Sequence, residues 1–227
     1  MASSKIKTAF FCTHCGYESP KWLGKCPSCN QRNTFSEEVI QKETKTAILG
    51  WNDPMQASKT AKTVLLNDLQ ADEQPRMPTY DTELDRVLGG GMVPGSIVLV
   101  AGEPGIGKST LFLQNGLKMR GLITLYISGE ESPQQIKMRA DRIGIKNEQF
   151  YLLAETNTQT IFAEIKKLRP QVVIVDSIQT LESPLIDSPA GSVSQIRECA
   201  GELQRFAKET ATPVFLIGHI TKDGSIA

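Results

Sequence analysis

The chain has 227 residues with 25 basic and 25 acidic side chains, so its formal net charge is zero, and 40% of its residues are hydrophobic. This composition is typical of globular proteins and excludes wholesale disorder. No run approaches the roughly 20 consecutive apolar residues of a membrane-spanning helix, and the N-terminus lacks the apolar segment of a secretory signal. We therefore expect a cytoplasmic protein with no membrane partner.

Four of the five cysteines form two Cys-x-x-Cys pairs near the N-terminus. The pairs are Cys12–Cys15 and Cys26–Cys29, with ten residues between them. Two such pairs can direct four thiolates at one ion and close a tetrahedral zinc site. Because a catalytic zinc keeps an open position for water, this spacing predicts a structural zinc ion. The alternative is a disulfide or redox pair, which would require an oxidising compartment.

The cysteines lie in a segment, residues 1–35, that we expect to form a small zinc module. It contains five Lys or Arg residues, one acidic residue and five aromatic residues. Basic and aromatic side chains suit single-stranded nucleic acid, because cations contact phosphates and rings stack on bases. In so small a module, the aromatic residues are equally suited to form its hydrophobic core, with no role in binding. Binding of a protein partner is a third possibility. The sequence leaves the ligand of the module open.

Residues 36–76 are polar and weakly periodic, which predicts a linker. From residue 77 onward, apolar runs typical of buried strands alternate with helical patterns. The predicted strands are Ser96–Ala101, Leu122–Ser128, Phe150–Leu153, Gln171–Asp176 and Pro213–Gly218, and the predicted helices lie at 81–88, 111–119, 133–143, 158–168 and 193–207. This alternation predicts an α/β core domain at 77–227 with a mostly parallel sheet.

A phosphate-binding pattern, G-x-x-x-x-G-K-S, directly follows the first predicted strand of the core. Its residues are Gly102, Glu103, Pro104, Gly105, Ile106, Gly107, Lys108 and Ser109, with Thr110 next in the chain. Strand, pattern and helix in this order define a P-loop, whose glycines let backbone N–H groups face a phosphate. In such a loop Lys108 would reach the terminal phosphates, and Ser109 would offer its hydroxyl to Mg²⁺. The sequence thus predicts a nucleotide site.

Acidic residues follow two other predicted strands. The fourth strand ends in Asp176, which next to a P-loop resembles a Walker B aspartate that holds Mg²⁺. Glu130 and Glu131 follow the second strand at the carboxyl edge of the sheet, where α/β sites form. We favour Glu130 as the residue that activates water, because it is closer to the strand. The alternative is that one or both cap the helix that begins near Ser132.

Two further residues have a predicted place in the core domain. His219 follows the last predicted strand, from which it could sense the γ-phosphate or an effector. The alternative is a loop histidine that binds backbone. Cys199 lies in a helical pattern far from the other cysteines, and we expect it to be an ordinary buried thiol.

These features occur in a characteristic order along the chain. The four-cysteine module is followed by LDRVLGGGMVPGS, GEPGIGKST, YISGEES, VVIVDSIQT and GHITKDGSIA. Together they resemble the bacterial RadA (Sms) family of DNA-repair proteins, relatives of RecA. The resemblance implies a RecA-like ATPase core that binds ATP and forms homo-hexameric rings around single-stranded DNA. It also implies that the protein acts on branched DNA, where it drives branch migration of strand-exchange intermediates together with the RecA recombinase. The resemblance further supports Glu130 as the catalytic glutamate.

The same resemblance implies that the core is truncated at its C-terminus. The family's KNRFG signature and Lon-protease-like domain would follow GHITKDG, so we expect further residues there. Residues 181–192 and those from 221 onward match positions where RecA-like proteins contact DNA, although 181–192 also has the composition of an ordinary surface loop.

Two other functional classes remain open at the sequence level. One is a nucleotide-switched scaffold with negligible hydrolysis whose zinc module recruits a protein. The other is a regulatory ATPase of the circadian-clock type, against which the zinc module and GHITKDG argue.

Overall fold

The computed structural model describes residues 7–40, 63, 65–68 and 75–219. These residues form a small antiparallel sheet near the N-terminus and a larger parallel sheet in the core domain. Most of the expected linker and the GHITKDGSIA motif after His219 lie outside the described residues. Within the described ranges, no helix is long and apolar enough to span a membrane.

The small sheet has the strand order β2-β1-β3, with β1 at Lys7–Cys12, β2 at Glu18–Ser19 and β3 at Phe35–Ile40. β1 pairs with β3 along its whole length, so that Cys12 lies opposite Phe35. The sheet therefore continues past residue 35, where we expected the zinc module to end.

The large sheet contains all five predicted strands. They are β4 (Ile97–Gly102), β5 (Thr124–Ser128), β6 (Phe150–Ala154), β7 (Val172–Asp176) and β8 (Val214–His219). Their order is β4-β8-β7-β5-β6, and every neighbouring pair is parallel. The parallel α/β fold predicted from the sequence is thus confirmed.

In the part of the chain that the structure describes, five α-helices accompany these strands; the first precedes β4, and the other four connect successive strands. They are α1 (Thr82–Val87), α2 (Lys108–Lys118), α3 (Pro133–Ile143), α4 (Thr158–Leu168) and α5 (Val193–Thr210). Helix α2 begins three residues earlier than the apolar pattern predicts, because Gly107 adopts a left-handed conformation that serves as its N-cap. Helix α3 begins as predicted at Pro133, and Ser132 caps it through a reciprocal pair of hydrogen bonds with Gln135.

The parallel sheet separates two apolar cores. Side chains of α4 and α5 pack on one face, and side chains of α2 and α3 pack on the other. Successive residues of β7 alternate between these cores, with Val173 on the first and Ile174 on the second. Cys199 is fully buried in the first core, and burial raises the pKa of its thiol to about 12. It is therefore the ordinary buried thiol that we expected.

Two helical glycines provide a matched test of this packing. A Cβ on Gly116 in α2 would lie 2.6 Å from a ring carbon of Phe150, whereas a Cβ on Gly201 in α5 would meet nothing within 4 Å. We expect Gly116→Ala to lower the free energy of unfolding by about 1–3 kcal/mol through overpacking. Gly201→Ala should raise it by about 0.5–1 kcal/mol, because alanine favours the helix. Urea unfolding of both variants tests this, and equal midpoints would contradict the packing described for Gly116.

Candidate functional site

The P-loop connects β4 to α2 at the carboxyl edge of the parallel sheet. Gly105 and Gly107 have φ angles of 82° and 94°, a region that favours glycine, so the loop curls back before the helix begins. Glu103, Pro104 and Ile106 are exposed along the curl. Ser109 and Thr110 lie in the first turn of α2, whose N-terminal end favours an anion.

The side chain of Lys108 lies inside the curl of the loop. Its Nζ donates hydrogen bonds to the carbonyl oxygens of Gly102 and Glu103, both at 2.8 Å. The same Nζ lies 3.4 Å from Nδ1 of His219 at the end of β8. The lysine is only 7% exposed, so its ammonium group is held inside the loop by these carbonyl groups.

Asp176 lies at the end of β7, two strands away from the P-loop strand. It is 8% exposed and accepts a hydrogen bond from the hydroxyl of Tyr126 on β5. Burial, and then the charge of Asp176, raises the pKa of Tyr126, so the phenol remains protonated and donates. This contact fixes one carboxylate oxygen of Asp176 at the edge where a metal ion would bind.

The structure separates the two neighbouring glutamates after β5. Oε1 of Glu130 accepts a hydrogen bond of 2.9 Å from the hydroxyl of Ser177 and lies 3.8 Å from Nε2 of His219. Glu131 instead forms an ion pair with Arg139 of α3, with 2.7 Å between the charged atoms. Because Ser132 supplies the cap of α3, the helix start does not account for the position of Glu130.

The candidate residues thus converge from four strand ends. His219 lies between Lys108 and Glu130, within 4 Å of both side chains. Its ring contacts side chains of the site, while its own backbone carbonyl accepts a hydrogen bond of 3.0 Å from Gln179. This cluster combines a cation, a carboxylate and a histidine at the mouth of a phosphate-binding loop.

Several residues of the site were not singled out from the sequence. Ser177 and Gln179 lie in the segment directly after Asp176, and that position was the only available signal. Tyr126 lies within a buried strand, where an aromatic residue gives no sign of a polar contact. Gln195 of α5 holds residues 183–188, part of the candidate DNA segment, through four side-chain hydrogen bonds to their backbone.

The four N-terminal cysteines form a cluster that fits a metal ion. Their sulfur atoms all lie within 4.8 Å of one another, with 3.7 Å between Cys12 and Cys29 and 3.5 Å between Cys15 and Cys26. Zinc–sulfur bonds of ~2.3 Å in a tetrahedron place the sulfurs about 3.8 Å apart. All five cysteines of the chain are free thiols, so the disulfide alternative is wrong for this structure.

The two Cys-x-x-Cys pairs adopt the same backbone turn. The amide of Gly16 donates to the carbonyl of Cys12 at 2.7 Å, and the amide of Asn30 donates to the carbonyl of Cys26 at 2.9 Å. Burial acts to raise the pKa of Cys12, but hydrogen bonds from Thr34 and from nearby backbone amides lower it to about 6. The backbone amide of Gln31 acts to lower the pKa of Cys29, but burial and hydrogen bonds with the other three cysteines raise it to about 12, so the thiols of the cluster do not ionise equally.

The aromatic residues of the zinc module differ in burial. Phe35 is buried against Cys12 and Cys26, and the ring of Tyr17 packs edge-on against it at 6.5 Å. Tyr17 nevertheless remains 41% exposed, and Trp22 is 52% exposed. Among the side chains of the module that the structure describes, Lys21, Lys25 and Arg32 are exposed basic residues.

The zinc module contacts the core domain at helix α5. The guanidinium of Arg197 donates to the carbonyl oxygens of Gly16 at 2.6 Å and of the zinc ligand Cys15 at 3.1 Å. A Cβ on Gly16 would lie 2.4 Å from Cγ1 of Val193, so only glycine allows this approach. The first Cys-x-x-Cys turn therefore rests directly on the start of α5.

Comparison with known families defines the class of the protein. A zinc-ribbon profile described as the rubredoxin metal binding domain matches residues 10–37, and a profile described as the KaiC ATPase matches residues 77–156. The fold and these matches define a P-loop domain of the KaiC ATPase type that follows a four-cysteine zinc ribbon.

Curated relatives then identify the family. The chain is 47% identical over 226 residues to the DNA repair protein RadA of Bacillus subtilis, a match that covers 99% of this chain and 49% of the relative. Identity is 47% to RadA of Streptococcus pyogenes serotype M1 and 44% to RadA of Listeria monocytogenes, again over 49% of each relative. The chain belongs to the family of bacterial RadA DNA-repair proteins, as its motifs indicate, and spans about half the length of these relatives.

Among solved structures, the RadB recombinase is similar with a TM-score of 0.48 and 27% identity. This match covers 64% of the present chain and 70% of the RadB chain.

The four-cysteine cluster predicts that each chain binds one zinc ion. Cys12→Ser removes one of four ligands from a closed site, so we expect the purified variant to lose its zinc and the small sheet to unfold. Cys199→Ala, which changes the fifth thiol far from the cluster, should retain one zinc ion per chain. Metal analysis by mass spectrometry measures both, and full zinc content in Cys12→Ser would contradict the assignment.

The contact at Arg197 predicts that zinc affects helix α5. In the unaltered chain, removal of zinc with a chelator should speed amide hydrogen exchange in the first turns of α5, because the turn that covers them unfolds. In Arg197→Ala the exchange should already be fast and should respond little to the chelator.

Arg205→Ala provides the control, because Arg205 lies on the same helix and its ion-pair partner is Glu198 of that helix. It should respond to the chelator like the unaltered chain. An undiminished response in Arg197→Ala would exclude this arginine as the link.

Proposed function

We propose that this chain is the ATPase part of a DNA-repair motor that hydrolyses ATP when it binds single-stranded DNA. The observation that carries the proposal is the arrangement of Lys108, His219 and Glu130 at the mouth of the P-loop, with Asp176 at the same sheet edge. The RadA relatives, named for DNA repair, support the biological setting.

Each residue has a distinct role in the proposed reaction. The backbone amides of Gly105 and Gly107, the start of α2 and the ammonium of Lys108 bind the phosphates of ATP or ADP. Ser109 and Asp176 are the residues that would hold Mg²⁺, which would neutralise phosphate charge. Glu130 orients a water molecule and takes its proton as the water oxygen bonds to the γ-phosphorus.

The products follow from the same step. The bond between the γ-phosphorus and the bridging oxygen breaks, so ADP leaves with that oxygen and inorganic phosphate leaves with the water oxygen. His219 contacts both Lys108 and Glu130, so a change at the γ-phosphate alters its surroundings directly. We propose that His219 reports the state of this phosphate.

The DNA-binding part of the proposal has two supports. The zinc module exposes Trp22 beside basic residues, a combination that suits single-stranded DNA. Residues 181–192, matched by resemblance to DNA-contacting segments, follow the turn after Asp176. We extend the proposal, on the family resemblance, to a ring of six full-length copies that drives branch migration on branched DNA together with the RecA recombinase.

Steady-state ATP hydrolysis with and without single-stranded DNA tests the proposal. We expect DNA to raise the rate, and the rise should weaken at high salt because phosphate contacts are screened. Lys108→Ala should abolish hydrolysis. Glu130→Gln should reduce kcat by about 10²-fold or more, since it removes the proton acceptor.

Glu131→Gln is the matched control for Glu130→Gln, because it changes the adjacent carboxylate, which faces Arg139. It should retain most of the activity. Tight nucleotide binding with negligible turnover at every DNA and salt concentration would contradict the motor and favour the nucleotide-switched scaffold.

A further inference from the structure

A single short turn contacts the strand ends on both sides of β7. This turn, residues 177–180, comprises Ser177 and the 3-10 helix Ile178–Thr180. Ser177 donates to Glu130 after β5, and Gln179 Nε2 donates to the carbonyl of His219 at the end of β8. The hydroxyl of Thr180 closes the turn by donating to the carbonyl of Ser177 at 2.8 Å.

The turn also packs tightly against the residue before Glu130. A Cβ on Gly129 would lie 2.1 Å from Oγ1 of Thr180, so the backbone there approaches the turn as closely as glycine permits. Residues 177–180, which follow Asp176 directly, therefore contact both the side chain of Glu130 and the backbone of His219.

Gln179 has one hydrogen-bonding atom that the fold leaves unused. Its Nε2 reaches the carbonyl of His219, but its Oε1 is buried and has no donor among the described residues. Burial of an unpaired amide oxygen is unfavourable, so fold stability alone does not explain a glutamine here. The contact that it does form joins the turn to the terminal residue of β8.

We propose that Gln179 is a positioning residue for ATP hydrolysis. Its amide fixes the backbone of His219, so that the imidazole stays between Lys108 and Glu130. This inference rests on the proposed ATPase function. Pairing with β7 ends at Ile217, so removal of the amide leaves His219 held only on the β4 side, whereas the hydrogen bonds of Lys108 to its own loop remain.

The histidine content of the chain provides a direct readout. His14 and His219 are the only two histidines, so a ¹H–¹³C spectrum of protein labelled with ¹³C at the histidine Cε1 contains two ring signals, which His14→Gln assigns. We expect Gln179→Ala to shift the His219 signal and leave the His14 signal in place. Gln134→Ala, on the exposed first turn of α3, is the control and should shift neither signal.

A second variant covers the case in which Gln179→Ala does not fold. Gln179→Glu keeps the size of the side chain but replaces the donor with an acceptor, so it should produce the same selective change. An unchanged His219 signal in either folded variant would overturn the proposal.

Kinetics separates positioning from binding. We expect Gln179→Ala to lower kcat by about ten- to a hundredfold, because the catalytic groups lose alignment, with KM for ATP nearly unchanged. A rise in KM with constant kcat would overturn the proposal. If the unaltered chain hydrolyses no ATP, the proposed function fails, while the ring signal of His219 still decides whether Gln179 positions it.

Discussion

The parallel pairing of β8 between β4 and β7 is the constraint on which the site depends. In this register His219 lies opposite Gly102 of the P-loop strand, while Asp176 lies opposite Ile217. Because all five strands are parallel, their carboxyl ends meet at one edge, and side chains far apart in sequence become neighbours. An exchange of strand order would separate the histidine from the lysine even with every local motif intact.

The sequence was sufficient to predict those parts of the structure that depend on local pattern. The five strands, the P-loop and the cysteine cluster each follow from residues close together in the chain. The preference for Glu130 over Glu131 rested only on distance from β5. The structure shows a stronger physical difference, because Arg139 attracts Glu131 toward α3 and Ser177 holds Glu130 at the site.

Other features depend on which surfaces meet, and no local pattern encodes them. Tyr126 belongs to a buried apolar strand, and only the pairing of β5 with β7 brings its hydroxyl to Asp176. Nothing in the sequence around Gln195 distinguishes it from other polar residues of α5. Its side chain nevertheless holds residues 183–188, whose composition predicts only an ordinary surface loop. Apolar periodicity in α2 begins only after Lys108, so the pattern alone predicts a start three residues later than the one that the Gly107 N-cap sets.

The contact between Arg197 and Gly16 has a consequence for the order of events during synthesis. The two residues are 181 positions apart. All four zinc ligands are translated long before Arg197 leaves the ribosome, so the zinc module is complete in sequence before the helix that it contacts has been made. The hydrogen bonds that join the zinc module to the core domain can therefore form only after nearly the whole described chain has been synthesised.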